Sequence, residues 1–195
     1  MNFLKQMLLS ILTIVPFSVA AIYKPDYIVL EKADGLEIRQ YPSLIVAKTR
    51  VKGNFEEVGN MAFKRLAGYI FGGNSKDEKI AMTAPVTQTP DERESGAYWV
   101  SFFMPPEYDL SALPEPFDGK VEVTSVSEAK MAVVTYKGGW GIKKYKLHQE
   151  RLTTLLGETK WRPVGEPVWA RYNSPFMPSF MRFNEVMIAV EIGAM

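Results

Sequence analysis

The chain carries a single histidine, His148, and no cysteine. Those two counts remove most familiar site chemistry. Without cysteine there is no disulfide, no thiolate-held iron or zinc, no iron–sulfur cluster and no thiol nucleophile. With one imidazole, no metal can be held by a pair of histidines within one chain, and a Ser-His-acid arrangement would need His148 itself. No Gly-x-Ser-x-Gly elbow is present to meet it. His148 falls about 60° from the centre of an apolar helical stripe formed by Ile142, Tyr145, Leu152, Leu155 and Leu156. At that flank it reads either as a half-buried histidine bonded to a neighbour or as a metal ligand supplying one nitrogen.

Lys143, Lys144 and Lys146 crowd the start of the same helix, and no acid lies between Gly138 and Gln149. A helix start already presents positive charge, so this placement is unfavourable by itself. An anion held there, a carboxylate or a phosphate, would offset it; the bland alternative is that three lysines solvate an exposed start. The glycines around them form neither G-x-x-x-x-G-K-[ST] nor G-x-G-x-x-G, so no phosphate loop is present. Apolar contact chemistry is better supplied, with 10 Met, 11 Phe, 9 Tyr and 4 Trp. Such side chains suit a pocket for a flat apolar ligand and equally suit a small core. Phe176, Met177, Phe180 and Met181 lie among prolines that exclude regular structure, which predicts an exposed apolar rim.

The elements that must position these residues follow from periodicity. Tyr27–Leu30, Leu36–Tyr41 and Leu44–Val51 read as strands. Asn54 is a candidate N-cap for a helix with Glu56 and Glu57 in its first turn, and Gly72-Gly73 stops it. Ile80–Gln88 reads as a strand that Pro85 should confine to an edge or a bulge, and Tyr98–Met104 as an aromatic strand. Pro105–Gly119, with four prolines, reads as a linker. The order then recurs: strands at Val121–Val123 and Met131–Tyr136, a helix from Gly141 to Gly157, strands at Val168–Tyr172 and Glu185–Ile192. Neither half buries its helix stripe alone, so the chain reads as two related halves sharing one core.

Composition narrows the partners. Hydrophobic residues make up 47% of 195 and charged residues 23%, a globular balance within the size of one domain. The N-terminus has a short positive region at Lys5, an apolar run from Met7 to Val19 and small residues at Ser18-Val19-Ala20. This predicts a signal peptide over 1–20, cleaved after Ala20 or Ala21, and a mature domain over 21–195 in a periplasm or secreted. The run is too short for a stable membrane span, which needs about 20 apolar residues. Removing residues 1–20 takes away Lys5 and no acid, leaving 22 basic and 22 acidic residues. A neutral mature chain lacks the broad positive field that nucleic-acid binding uses, so no nucleic-acid partner is expected.

Several segments resemble the SOUL haem-binding protein family. They are Ile80-Ala81-Met82-Thr83-Ala84-Pro85-Val86 after a Gly-Gly-Asn turn, and Tyr172-Asn173-Ser174-Pro175-Phe176-Met177-Pro178 continued by Arg182–Val186. Glu37–Tyr41 is similar to the family's opening strand, and Tyr136-Lys137-Gly138-Gly139 to the step before its second helix. The likeness runs from Tyr27 to Glu191. It implies an α+β fold, a distorted β-barrel of two pseudo-repeated βαβ-type halves with two flanking helices. It also implies a non-catalytic exported carrier or buffer that binds haem, or a related tetrapyrrole, non-covalently in a shallow apolar groove. The family's first helix contributes to that groove, which maps onto Asn60, Met61, Lys64, Arg65, Gly68 and Tyr69. Lys143, Lys144, His148, Tyr172 and Met177 complete the expected haem-binding set, with the lysines near the propionates. Some members are assigned a histidine ligand early in the first half; this chain has none there, which leaves His148 as the candidate iron ligand. The plan also resembles gyrase-inhibitor-like effector-binding domains, which implies two alternatives: a pocket for another apolar anion, or a small hydrolase using Glu185 and Tyr172.

Overall fold

Strand, helix and glycine signals translate closely into elements. The computed structural model describes residues 22–193, so the predicted leader at 1–20 lies outside the described residues. β1 (Ile28–Ala33), β2 (Leu36–Tyr41) and β3 (Leu44–Lys52) precede α1 (Phe55–Ile70). β4 (Val86–Pro90), β5 (Ala97–Phe103), β6 (Val121–Val126) and β7 (Ala129–Lys137) precede α2 (Ile142–Gly157). β8 (Trp161–Arg171) and β9 (Phe183–Ile192) complete the order, with a 3-10 turn at Ser179–Met181 between them. Asn54 caps α1 as its position predicts, its Oδ1 accepting from the Glu57 amide at 3.1 Å. Among the described residues, no helix is long and apolar enough to cross a membrane.

All nine strands form one antiparallel sheet in the order β1-β2-β7-β9-β8-β4-β5-β3-β6. Exchanging β2 with β6, β3 with β7, β4 with β8 and β5 with β9 maps eight of these strands onto the same order reversed. The repeat in the sequence is therefore a repeat in the fold. Each half is a split β-α-β unit, with β5 or β9 lying between the two strands that flank its helix. The halves exchange their first strands, β2 pairing with β7 and β6 with β3.

The expected barrel needs correction: the sheet is open. β1 ends it at one side and β6 at the other, and the two do not pair. Both edges carry features that stop further pairing. β1 has a bulge between Val29 and Glu31 and an exposed Lys32, while Glu122 on β6 pairs with Lys48 at 3.4 Å.

Three further expectations change. Pro85 does not push its strand to an edge; β4 begins at Val86 and lies between β5 and β8, so the proline precedes the ladder it could not donate to. Pro105–Gly119 is not a linker, because Leu113 and Pro114 are buried and the Tyr69 hydroxyl donates to the Pro114 carbonyl at 3.0 Å. β8 starts seven residues before Val168; Pro163, Gly165 and Pro167 masked this part, which the sheet accommodates by a register shift between Val164 and Val168.

Both helices lie on one face. α1 buries Val58, Ala62 and Leu66 against Val100, Phe102 and Val121, and α2 buries Tyr145, Leu152 and Leu156 against Leu36, Ile38 and Val134. Each fully buried aliphatic side chain contributes about 1.5–3 kcal/mol. The two clusters meet at Tyr98, which packs against both and lies edge-on to Phe55; Phe55 from α1 joins the α2 cluster, its ring stacking on Trp169 at 4.7 Å and on Tyr145 at 5.2 Å. The opposite face carries Tyr41, Val133, Ala170 and Met187.

Candidate functional site

Three segments converge at one end of the inter-helix seam: the first half of α1, the β7–α2 loop and the loop after β8. Their floor is Arg171. On β8 the residues alternate, Trp169 toward the helices, Ala170 away and Arg171 toward them again. A guanidinium is thereby carried into an apolar seam. It stacks on the Trp169 indole at 4.7 Å and lies 5.5 Å from that of Trp140. Its Nη2 donates to Gln88 Oε1 at 2.8 Å, and Gln88 is fixed in turn by donating to the Phe55 carbonyl at 3.0 Å. Its buried Nε has no partner. Burial pulls the Arg171 pKa down to about 10.

Gly59 makes room for this group. A Cβ there would lie 2.8 Å from both terminal nitrogens of Arg171. Trp140 is held over the opening because its Nε1 donates to the buried Asn184 at 2.8 Å. Arg182 lies 4.3 Å from the centre of the Trp140 ring and donates to the carbonyls of Met177 (2.8 Å) and Pro175 (2.6 Å), which pins the loop. The enclosed space is about 90 Å³, with Gly59, Asn60, Phe63, Trp140 and Arg171 around it. One cation, Arg171, and no carboxylate line it. Outside, Phe176 is 94% exposed, while Met61 is exposed on the other side of α1, toward Gly53.

The residues expected from the sequence separate on the structure. Asn60 lines the cleft, Met61 and Lys64 are exposed on the same helix, and Met177 is half-buried in the loop. Gly68 is exposed further along α1. Arg65 points elsewhere, donating to Thr49 Oγ1 at 2.8 Å and pairing with Asp118 at 3.1 Å. Tyr69 is a core residue, 2% exposed. Lys143 and Lys144 are exposed at the start of α2. The anion that this helix start calls for is internal: Glu56 on α1 accepts from the Ile142 amide at 3.1 Å. His148 does not line the cleft. Its ring stacks on Tyr136 at 4.0 Å, its buried Nδ1 is unpartnered, and burial, then Arg151 and Lys144, lower its pKa.

Tyr172 and Glu185 lie on the helix-free face in a closed network. The Glu185 carboxylate accepts from Arg39 Nη1 at 2.9 Å through one oxygen and from the Tyr172 hydroxyl at 2.6 Å through the other. Desolvation alone would lower Arg39, but Glu185, Tyr41 and Glu37 together outweigh it and Arg39 is raised. Burial, then Glu185, raises Tyr172 well above an ordinary phenol. Glu185 is buried with each oxygen accepting one hydrogen bond, and Tyr172 keeps its proton. Beside this network, a groove of about 280 Å³ runs past Tyr41, Phe103, Met131 and Met187.

Arg171, Trp140 and Gly59 were not singled out as site residues from sequence. The available signal was a cation at an inward position of a strand, next to Trp169.

A tetrapyrrole with carboxylate arms fits what surrounds the cleft: an orphaned buried donor, a glycine cradle, and aromatic and Met side chains at the rim. The arrangement offers no thiolate and no histidine in the lining, so an iron would be held by contact and charge more than by a strong axial bond. Comparisons with known proteins bear on the same point. Heme-binding protein 2 of Homo sapiens is 31% identical over 162 residues, covering 78% of this chain and 76% of that protein. Its Mus musculus counterpart is 30% identical over 161 residues with the same coverage. Solved structures share the fold at low identity. The C-terminal domain of EcmrR has a TM-score of 0.63 at 11% identity, covering 81% of this chain and 98% of that one. A hydrolase from Listeria innocua has 0.54 at 10%, covering 89% and 94%. The model of the SOUL heme-binding protein family matches residues 22–189, and the chain belongs to that family.

Proposed function

We propose that the protein binds haem or a related tetrapyrrole, non-covalently, in the cleft between α1, Trp140 and the loop after β8. In this reading it is a non-catalytic carrier or buffer that acts outside the cytoplasm. The observation that carries the reading is Arg171, a cation on the Trp169 indole with no carboxylate among the residues lining the cleft, beside the first helix to which the family resemblance assigns the groove. The enclosed 90 Å³ admits an arm of the ligand and not its ring system. The macrocycle then lies across the rim, against Trp140 and Phe176. Bound haem would supply its own iron chemistry; the protein supplies apolar cover and cations for the carboxylates.

A hemin titration of the mature protein, starting near Ala21, tests this. A saturable Soret change with one equivalent bound, and quenching of tryptophan fluorescence, is expected. Absence of saturation at micromolar hemin would sink the reading. Export is tested separately by N-terminal sequencing of protein from cell fractions, where a chain still carrying Lys5 in membranes is the contrary result.

A second reading rests on the helix-free groove of about 280 Å³. Its lining is large enough and apolar enough for another small ligand. A ligand displaced by Met187→Trp, which fills this groove, and not by changes at Arg171 would favour it.

A further inference from the structure

We infer that the loop after β8, with the start of α2 beside it, is a docking surface for an anionic lipid bilayer. Phe176, at the cleft end of this loop, Phe180 and Met181 are all exposed. Single exposed apolar side chains are ordinary, but three on one short loop are not. The backbone of the loop is the second observation. Phe176, Met177, Met181 and Arg182 donate their amides within the loop, and Pro175 and Pro178 have none to donate. Arg182 caps the carbonyls of Pro175 and Met177, and those of Ser174, Pro178 and Ser179 accept from loop amides. A segment entering the apolar edge of a bilayer must satisfy its polar backbone internally, and this loop does so for most of its groups.

Charge beside the loop is one-sided. Ser179 Cβ lies 3.6 Å from where a Cβ of Gly139 would stand, Gly138 donates to the Arg182 carbonyl at 2.9 Å, and the Lys144 ammonium lies against Gly138. The start of α2 is thereby held next to the loop. Lys143 and Lys144 are exposed there, and Leu147, also exposed, stands one turn on from both. Neither 137–149 nor 173–184 contains an acid, and neither lysine forms an ion pair among the described residues. Glu56, which reaches this helix start, is engaged by the Ile142 amide. Apolar tips beside unpaired cations match a bilayer boundary, where acyl chains lie beneath anionic headgroups. Phe117 is the contrast, 69% exposed but next in sequence to Asp118 and two residues from Glu115. A protein partner fits less well, because a stable interface covers about 800 Å² per side and two aromatic rings with a methionine present about half of that. A fluid surface requires no matching shape.

Vesicle binding tests this without hemin, so the outcome does not depend on the tetrapyrrole reading. Residues 1–20 are omitted to keep the apolar N-terminal run from supplying the affinity; the sheet and both helices lie within 22–193. Wild type should cosediment with vesicles of equal phosphatidylglycerol and phosphatidylcholine, and about tenfold or more weakly with phosphatidylcholine alone or at high salt. Lys143→Ala with Lys144→Ala should weaken binding to the mixed vesicles about fivefold per lysine. Phe180→Ser with Met181→Ser should weaken it about tenfold or more, at an unchanged melting temperature because both positions are exposed. Insertion is read with brominated acyl chains. Phe180→Trp should add quenching beyond that of the four native tryptophans, and Phe117→Trp should add none. The inference is overturned by equal binding to both vesicle types, by undiminished binding of the Phe180→Ser, Met181→Ser protein, or by equal added quenching at the two tryptophan positions. A concentration-dependent dimer that the serine changes abolish, without vesicle binding, would assign the loop to a second copy of the chain and overturn it too.

Discussion

Glu185, 1% exposed, is a charge that the fold has surrounded with partners, and its replacement separates structural from chemical roles. Glu185→Gln removes the buried one of the two carboxylates paired with Arg39, Glu37 at 2.7 Å being the other, and should cost about 1–3 kcal/mol. Urea unfolding should show that loss, and the double change Arg39→Met with Glu185→Leu should recover much of it. If Glu185→Gln is silent in stability and abolishes a turnover, the network is catalytic after all. His148 gives a second prediction. Its folded pKa is depressed below the ordinary 6.5, so the folded state keeps it neutral while the unfolded chain takes up a proton. Its contribution is intact above pH 6.5 and drains away as pH falls from there toward the carboxylate range. His148→Phe keeps the stack on Tyr136 and removes the proton, so stability should flatten over that interval; an unchanged slope would contradict the assignment. At this scale the sequence was uneven. A lone histidine beside an apolar stripe reads as half-buried and bonded to a neighbour; His148 is half-buried, but its Nδ1 has no partner. Arg171 passed unnoticed because nothing in a cation's position along a strand tells whether an acid stands opposite.

At the scale of elements, the two helices are joined by a cap. α2 begins at Gly141 without a side-chain cap of its own and with no acid in its first turn. The carboxylate of Glu56 reaches it from the first turn of α1, 86 residues earlier in the chain. Glu56→Ala should therefore destabilise the protein by about 1 kcal/mol, comparable to Asn54→Ala at the start of α1. The two losses differ in place. Hydrogen exchange should quicken at Ile142–Tyr145 in Glu56→Ala, and unaltered protection there would remove the cap from the account. The lysine-rich start of α2 announced that an anion was missing, but a local pattern cannot name a partner supplied by tertiary packing. Prolines misled for a related reason. Pro85 and Pro167 are incompatible with a ladder donor, not with a central strand: β4 starts just after Pro85, and β8 shifts register around Pro167.

For the whole molecule, duplication with exchanged first strands decides how the fold comes apart. The recurrence of strand pair, helix and strand pair was legible in the sequence, because each half repeats the same periodicities and glycine stops. The exchange was not, since pairing partners are set by packing between halves. A cut near Gly119 would separate β1 to β5 with α1 from β6 to β9 with α2. The first fragment loses β7 from β2, β6 from β3 and β8 from β4. It also loses the stack of Phe55 on Tyr145 and Trp169, the Arg39–Glu185 pair and the Glu56 cap. What stays is a β1–β2 hairpin detached from a β3-β5-β4 sheet, and a two-stranded hairpin is marginal in water. The second fragment keeps β7-β9-β8 under α2 but strands β6 alone. Each piece of roughly 75–100 residues also buries a smaller share of its surface than the whole chain does. Residues 22–119 and 120–195 should accordingly be unfolded when made separately, and should regain the native circular dichroism and amide dispersion when mixed in equal amounts. Complementation is expected because every lost contact is intermolecular in the mixture and none depends on the severed peptide bond. A fragment that folds by itself with dispersed amides would show that its half is autonomous, and that the exchanged strands are an embellishment of two independent units.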